Sequence, residues 1–225
     1  MMLYFMMKKI VVCFDIDDTL YHEIDYLKSA FKDISEKIKQ KYNIECNTYN
    51  LMLKWFYDKC DVFDKLIDCF NISTTKSELI GYYRSHVPQI CLSNDVKKTL
   101  DLLKKKGYVL GIITDGRSLT QRNKINSLGL NKWINNNDIV ISEEFGSEKP
   151  CEANYKYFME NYPNAEYYYI GDNLKKDFIA PINLGWKCIC IEDDGKNIHK
   201  QEYSDEKKGN IVFVNNFAEL RKCVN

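Results

Sequence analysis

Six short runs of β-branched, aliphatic and aromatic residues recur along this 225-residue chain, and segments with helical periodicity separate most of them. Runs of this kind are typical of buried strands, and strands that alternate with helices favour a parallel sheet. The runs span residues 9–15, 108–115, 139–142, 167–171, 187–192 and 211–214. The pattern therefore predicts an α/β fold with a doubly wound, mostly parallel sheet.

Lysine, glycine and proline mark the predicted helix ends between these runs. Residues 95–106 carry apolar side chains at helical spacing and end in three lysines followed by a glycine, which suits a helix C-terminus. Residues 118–128 end at Gly129 in a similar way. We expect Pro150 in the first turn of a further helix, a position that proline favours.

The stretch from residue 21 to residue 92 interrupts the alternation, because it contains no strand-like run and is typical of amphipathic helices. Its first apolar stripe at helical spacing comprises Ile24, Leu27, Phe31, Ile34 and Ile38. We expect residues 21–92 to form a small all-helical cap domain, and residues 1–20 and 93–225 to form a Rossmann-like core domain. The polar segment 193–209 is expected to be a solvated excursion.

Charge and cysteine content exclude several classes of protein. Lys and Arg total 32, as do Asp and Glu, so the net charge of zero argues against nucleic acid or an anionic membrane as partner. The nine cysteines are an odd number without a C-x-x-C pair, which predicts structural thiols in a reducing cytoplasm. The start of the chain has the wrong charge polarity for a signal peptide, and no segment approaches 18 apolar residues. We therefore expect a soluble, cytoplasmic protein.

Acidic residues follow the predicted strands at the points where the strands end. Because the carboxyl ends of parallel strands share one edge of a sheet, these side chains are expected to converge there with one lysine. The residues concerned are Asp15, Asp17, Asp18, Thr114, Asp115, Gly116, Lys149, Asp172, Asn173 and Asp177. Clustered carboxylates repel each other unless a divalent cation lies between them, and oxygen-only ligands favour Mg²⁺ over zinc.

Four motifs at these positions resemble the haloacid dehalogenase (HAD) superfamily, in the phosphatase branch whose helical cap follows the first strand. They are D-x-D-D-T-L at 15–20, the threonine of T-D-G at 114, the lysine of E-K-P at 149, and G-D-N-x-x-x-D at 171–177. D-x-D-x-T alone would occur by chance in a few per cent of chains, at roughly 5% usage per residue type. Four matches in order, each at a predicted strand end or helix start, are far more specific.

The resemblance implies a Mg²⁺-dependent phosphomonoesterase that cleaves a small phosphorylated metabolite, such as a sugar phosphate or a nucleotide, through an aspartyl-phosphate intermediate. Asp15 would be the nucleophile. Asp17 would protonate the leaving group and then deprotonate the attacking water. Thr114 and Lys149 would hold the transferring phosphoryl oxygens, and Lys149 would also offset the charge of Asp15.

The resemblance also implies how metal and phosphate would be held. Mg²⁺ would bind the Asp15 side chain, the Asp17 backbone carbonyl and Asp172, while Asn173 and Asp177 would orient its water shell. Further phosphate donors would be backbone N–H groups around Asp18, Asp115 and Gly116.

Other interpretations stay open at this point. A phosphomutase would share the core, and a catalytically silent phospho-ligand or partner-binding module would share the fold, whereas a dehalogenase would lack the aspartate that corresponds to Asp17. Asp18 and Thr19 could be turn and cap residues only, Asp177 a surface ion pair, and Lys149 a solvated lysine. The cap residues that could face the substrate are His22, Tyr26, Trp55, Tyr82, Arg84 and His86, with Arg84 as a candidate contact for an anionic group.

Overall fold

The fold is described from a computed structural model that covers residues 8–201 and 209–224. The predictions for the first seven residues, and for residues 202–208 of the polar excursion, lie outside the described residues.

A parallel sheet of six strands forms the centre of the described structure, and its spatial order is β3-β2-β1-β4-β5-β6. The strands are β1 (Ile10–Phe14), β2 (Val109–Thr114), β3 (Ile139–Ile141), β4 (Glu166–Gly171), β5 (Lys187–Ile191) and β6 (Ile211–Val214). Each predicted strand is present, and its ends fall within one residue of the prediction. The doubly wound α/β fold is therefore confirmed.

Helices cover both faces of this sheet. They are α5 (Asn94–Lys105), α6 (Ser118–Leu128), α7 (Ser142–Phe145), α8 (Ala153–Asn161), α9 (Ile179–Asn183) and α10 (Phe217–Cys223), with 3₁₀ turns at Leu130–Lys132 and Asn136–Asp138. Val12 and Phe14 pack on one face against α5, α6 and α10, whereas Val11 and Cys13 pack on the other against α8 and α9. This division follows from the period of two along a strand.

The prediction for Pro150 is wrong, because α8 begins at Ala153. Residues before this helix serve the loop at the strand ends instead, where the Lys149 backbone N–H donates to the Asp115 carboxylate.

Four helices lie between β1 and α5, and no named strand falls among them in the described chain. They are α1 (Glu23–Tyr42), α2 (Thr48–Tyr57), α3 (Val62–Phe70) and α4 (Lys76–Ser85). The predicted apolar stripe of α1 is buried and packs with α2, α3 and α4 in a cluster of its own. Tyr26 and Ala30, on another side of α1, pack instead into the sheet cluster. These two residues of α1 thus attach the helices to the core. The bounds 21–92 of the cap domain stay a prediction.

The strand order changes direction beside β1, since β2 and β3 lie on one side of it and β4, β5 and β6 on the other. A doubly wound sheet opens a crevice at this point, outside the carboxyl ends of its strands. The loops that follow β1, β2 and β4 therefore meet.

All nine cysteines are free thiols, and Cys188 and Cys190 are buried in β5 as expected. No helix in the ranges 8–201 and 209–224 has both the length and the apolar character needed to cross a bilayer. A cytoplasmic location stays a prediction.

Candidate active site

A cavity of about 160 Å³ lies at the crevice beside the carboxyl ends of β1, β2 and β4. Seven of the ten predicted site residues line it, and Lys149, Asp177 and Gly116 lie next to those seven. The cavity, called here the inner chamber, is lined by Asp15, Asp17, Asp18, Glu23, Thr114, Asp115, Asp172, Asn173, Lys176 and His199. The tertiary fold thus brings together residues separated by more than 150 positions.

Asp15 and Lys149 form a buried ion pair, with 3.0 Å between Lys149 Nζ and Asp15 Oδ1. Burial raises the pKa of Asp15 to about 6, against the lowering effect of Lys149, and Asp177 and Asp17 add to the rise. Burial disfavours the charged form of Lys149, yet Asp15 and Asp177 hold its pKa well above the ordinary value. Two roles were predicted for Lys149, offsetting the charge of Asp15 and holding a phosphoryl oxygen. Because the Lys149 side chain is completely buried, the structure supports the first role more directly than the second.

Asp177 joins this ion pair to the loop after β4. Its Oδ1 accepts from Lys149 Nζ at 2.7 Å, and its Oδ2 accepts from the backbone N–H groups of Asp172 at 3.2 Å and Asn173 at 3.0 Å. Both oxygens of this buried carboxylate are therefore held by protein donors, and the surface ion-pair interpretation is wrong.

Asp15, Asp172 and Asp177 can each place one carboxylate oxygen within 4.8 Å of the other two. Burial, followed by repulsion from Asp15 and Asp177, raises the pKa of Asp172 to about 8. From the residues that the structure describes, the Asp172 carboxylate oxygens accept only long hydrogen bonds, from the Thr19 hydroxyl at 3.3 Å and the Asn197 amide at 3.2 Å. A buried, oxygen-only donor set with this degree of mutual repulsion fits a hard divalent cation.

The Asp17 side chain lies in a separate hydrogen-bond network. Both of its oxygens are 2.7 Å from Lys124 Nζ, and it also accepts from the Tyr21 hydroxyl at 2.5 Å and the Gln121 amide at 3.2 Å. Burial opposes ionisation, but the Lys124 ammonium and these hydrogen bonds hold the pKa of Asp17 below its ordinary value. Asp17 is therefore an oriented carboxylate at the chamber wall.

Sequence analysis did not identify Gln121 or Lys124. Both are buried on α6, three residues apart on one helix face, and Gln121 Nε2 also donates to Thr114 Oγ1 at 2.7 Å. Because the amide donates, the Thr114 hydroxyl keeps its own proton for another acceptor. A polar pair on the inward face of the helix that follows T-D-G is the signal that could have revealed them.

The residues predicted as backbone phosphate donors have other contacts as well. The Asp18 carboxylate accepts from the N–H groups of Glu23 at 2.8 Å and Ile198 at 3.2 Å, so it caps the start of α1 and anchors a distant loop. Asp115 binds Lys176 Nζ at 3.0 Å. The Gly116 N–H donates to Ser142 Oγ at 2.9 Å and is thus engaged within the protein.

The described part of the polar excursion, residues 193–201, is irregular and contains no buried residue, as expected of a solvated excursion, but it also contacts the site. Asn197 donates to the Asp172 carboxylate, and Gln201 donates to the Asp172 backbone carbonyl at 2.8 Å. His199 lines the inner chamber. The polar composition of the segment did not indicate these contacts, because the hydrogen-bond acceptors belong to Asp172, in another part of the chain.

Most of the cap residues considered in the sequence serve structural contacts. The hydroxyl of the buried Tyr26 donates to the Tyr83 carbonyl, and the His86 ring lies within hydrogen-bond distance of the Ser29 hydroxyl and the Asp33 carboxylate. Trp55 packs in the helical cluster, Tyr82 donates to Glu78, and the Arg84 carbonyl accepts from Thr120. His22 lies in a cleft beside the chamber.

The Asp177 carboxylate packs directly against the backbone of Gly171, because this residue has no side chain. A Cβ atom at Gly171 would lie 2.5 Å from Asp177 Oδ2. We expect Gly171→Ala to displace the Asp177 carboxylate, and with it Lys149, lowering the midpoint of thermal unfolding measured by circular dichroism. Gly81→Ala is the matched control, because a Cβ at Gly81 meets no atom within 4 Å and alanine favours the helix. Equal midpoints for the two variants would contradict the close-approach argument.

A family model described as "Haloacid dehalogenase-like hydrolase" matches residues 12–191. The glyceraldehyde 3-phosphate phosphatase of Methanocaldococcus jannaschii is 29% identical over 207 residues, which are 86% of this chain and 90% of that protein. The ribulose-1,5-bisphosphate 5-phosphatase of Halopiger xanaduensis is 26% identical over 50% of this chain and 47% of its own length.

Solved structures show the same fold. The hydrolase YfnB of Bacillus subtilis, determined with bound magnesium, has a TM-score of 0.69 at 20% identity and covers 97% of this chain and 99% of its own. A HAD phosphatase from Thermococcus onnurineus has a TM-score of 0.57 at 22% identity, covering 97% and 98%. The resemblance inferred from the motifs is confirmed: the chain belongs to the haloacid dehalogenase-like hydrolase family.

Proposed function

We propose that this chain is a Mg²⁺-dependent phosphomonoesterase that cleaves a small phosphorylated metabolite through an aspartyl-phosphate on Asp15. Membership of the hydrolase family supports the reaction class, and the similar curated proteins are named as phosphatases of phosphorylated sugars. We further propose that residues 21–92 act as the cap domain, because their helices lie directly after the strand that carries the nucleophile.

The observation that carries the proposal is the Asp15–Lys149 pair at the inner chamber. A carboxylate is a poor partner for an anionic phosphate unless its charge is offset, and Lys149 lies 3.0 Å from it. Asp15 lines the chamber together with Thr114, whose hydroxyl can donate to a phosphoryl oxygen.

In the first step an Asp15 oxygen attacks phosphorus, a P–O bond forms, and the bond to the leaving oxygen breaks. The Lys124 contacts favour ionised Asp17 in the protein alone, but an entering phosphate dianion raises its proton affinity by repulsion, so that Asp17 takes up a proton from solvent. Asp17 then gives this proton to the leaving oxygen. In the second step Asp17 takes a proton from water and the water oxygen bonds to phosphorus. The bond between phosphorus and the Asp15 oxygen breaks, so that inorganic phosphate leaves and the Asp15 carboxylate is regenerated.

Asp15, Asp172 and the Asp17 carbonyl are the proposed Mg²⁺ ligands, and Asp177 and Asn173 are proposed to orient metal-bound water. Asp177 is already hydrogen-bonded at both oxygens, which favours a supporting position over direct ligation. When bound, Mg²⁺ supplies charge neutralisation for carboxylate and phosphate together. Gln121 and Lys124 hold Asp17 at the chamber wall throughout.

Replacement of the nucleophile gives the direct test. Asp15→Asn is expected to lower Mg²⁺-dependent hydrolysis of p-nitrophenyl phosphate by at least about a thousandfold, because the amide oxygen is a far weaker nucleophile. Asp68→Asn, at an exposed position of α3, is the control and should retain activity. Wild-type activity in Asp15→Asn, or full activity in a chelator, would exclude the mechanism.

Asp17→Asn separates the two chemical steps. Nitrophenolate leaves without a proton, whereas hydrolysis of the aspartyl-phosphate needs a base, so the second step should slow by roughly 10²–10⁴-fold. Stopped-flow measurement is expected to show a burst of about one nitrophenolate per enzyme followed by slow turnover. A steady rate equal to that of the wild type, or a loss of both phases together, would contradict the assigned role.

The buried carboxylates also predict a pH-dependent effect of metal on stability. The pKa of Asp172 is about 8 in the folded protein against an ordinary value of 3.8. The metal-free folded state therefore binds more protons than the unfolded state between these values, and its unfolding free energy falls as pH rises through that window. Mg²⁺ should raise the thermal midpoint more at pH 8 than at pH 5, where protons compete for the same oxygens.

Asp172→Asn should abolish most of this difference, while Asp68→Asn should preserve it. An equal Mg²⁺ effect at both pH values in the wild-type protein would argue against a cation site at Asp172.

A further inference from the structure

A second, larger cavity of about 890 Å³ adjoins the inner chamber and is called here the outer cleft. Its walls come from the start of α1, the end of α2 and the loop that follows β5. His199 lines both cavities, and Glu23 of the chamber lies between His22 and Ile24 of the cleft. A molecule whose phosphate occupies the chamber would therefore extend into this cleft.

The two cavities have opposite charge. Six carboxylates and one lysine line the inner chamber. The outer cleft has Lys28, Lys59 and Lys196 against a single carboxylate, Asp25, and has His22 and His199 in addition. The chamber fits a cation, as shown above, whereas the cleft has the charge that suits an anion.

Two of these lysines have no ionic partner among the residues that the structure describes. Lys196 is paired with Asp194 at 2.5 Å. Lys28 and Lys59, by contrast, form no ion pair with any residue that the structure describes, although they line the same cleft. The cleft is also lined by the apolar side chains of Phe56, Ile24 and Ile198. Apolar surface displaces water from the cleft, and ionic contacts are stronger where water is displaced.

The loop that forms one wall of the cleft is attached to the catalytic carboxylates. Asn197 lines the cleft and donates to Asp172, while the Ile198 N–H donates to Asp18. The cleft and the chamber are therefore held at a defined separation, as recognition of two groups on one small molecule requires.

We propose that the outer cleft binds a second anionic group of the substrate, a phosphate or a carboxylate, through Lys28 and Lys59, with His199 between the two sites. The preferred substrates are then small metabolites with two anionic ends, such as sugar bisphosphates or phosphorylated acids. This inference rests on the proposed phosphatase function for the role of the inner chamber.

Matched substrates test the inference. Ribulose 1,5-bisphosphate and ribulose 5-phosphate differ only in the second phosphate, and 3-phosphoglycerate and glyceraldehyde 3-phosphate differ in a carboxylate. In at least one pair, we expect kcat/KM to be at least about tenfold higher for the substrate that carries a second anionic group, because one charge-assisted hydrogen bond has about this value. The two pairs distinguish a phosphate from a carboxylate as the second group. Equal kcat/KM within both pairs would overturn the proposal, even if p-nitrophenyl phosphate is hydrolysed normally.

The double variant Lys28→Met/Lys59→Met should remove this preference by raising KM for the favoured substrate about tenfold or more, with little change in kcat or in the matched substrate. Lys32→Met is the control, because Lys32 lies one turn from Lys28 on α1, is exposed and does not line the outer cleft. Retention of the full preference in the double variant would also overturn the assignment.

Binding can be measured without turnover. Calorimetry of Asp15→Asn with Mg²⁺ should show tighter binding of the bisphosphate than of the monophosphate, and the two lysine substitutions should abolish the difference. Wild-type protein that hydrolyses none of the esters, with this binding difference intact, would refute the phosphatase function and support the anion site. Absence of the binding difference would refute the anion site independently of activity.

Discussion

The buried ammonium of Lys149 is the group on which the rest of the site depends. It lies 3.0 Å from Asp15 and 2.7 Å from Asp177, and all three side chains are removed from water. Two carboxylates this close, without the lysine, would carry unpaired buried charge, which is among the most destabilising arrangements in a protein. With the lysine present, repulsion from Asp172 still remains, and this residual negative charge is what a divalent cation can relieve.

The same residues connect the three loops that meet at the strand-order reversal. The Lys149 backbone N–H binds Asp115 in the loop after β2, and Asp177 binds the two backbone N–H groups that follow Gly171 at the end of β4. Asp15 completes the set at the end of β1. Charge compensation and loop geometry therefore depend on each other, so a change in one catalytic segment is transmitted to the others.

Around this centre, separate elements hold Asp17, the proposed acid–base residue, and the outer cleft. Gln121 and Lys124 of α6 orient Asp17, and Gln121 also leaves the Thr114 hydroxyl free to donate. The loop after β5 reaches back to Asp172 and Asp18, so the wall of the outer cleft is attached to carboxylates of the inner chamber.

The sequence by itself determined the strands, the family and the charged residues at the strand ends. The period of two in strands and of 3.6 in helices is a local pattern that can be seen in the sequence. A predicted strand ends where its apolar run gives way to a polar residue, so Asp15, Thr114 and Asp172 could be placed at strand ends without coordinates. Only the tertiary structure decided the partners: Lys124 for Asp17, Asp177 for Lys149, and Asp172 for the solvated excursion at residues 193–201. These contacts join residues 25 to 107 positions apart, and no local pattern encodes which distant side chain meets a buried charge.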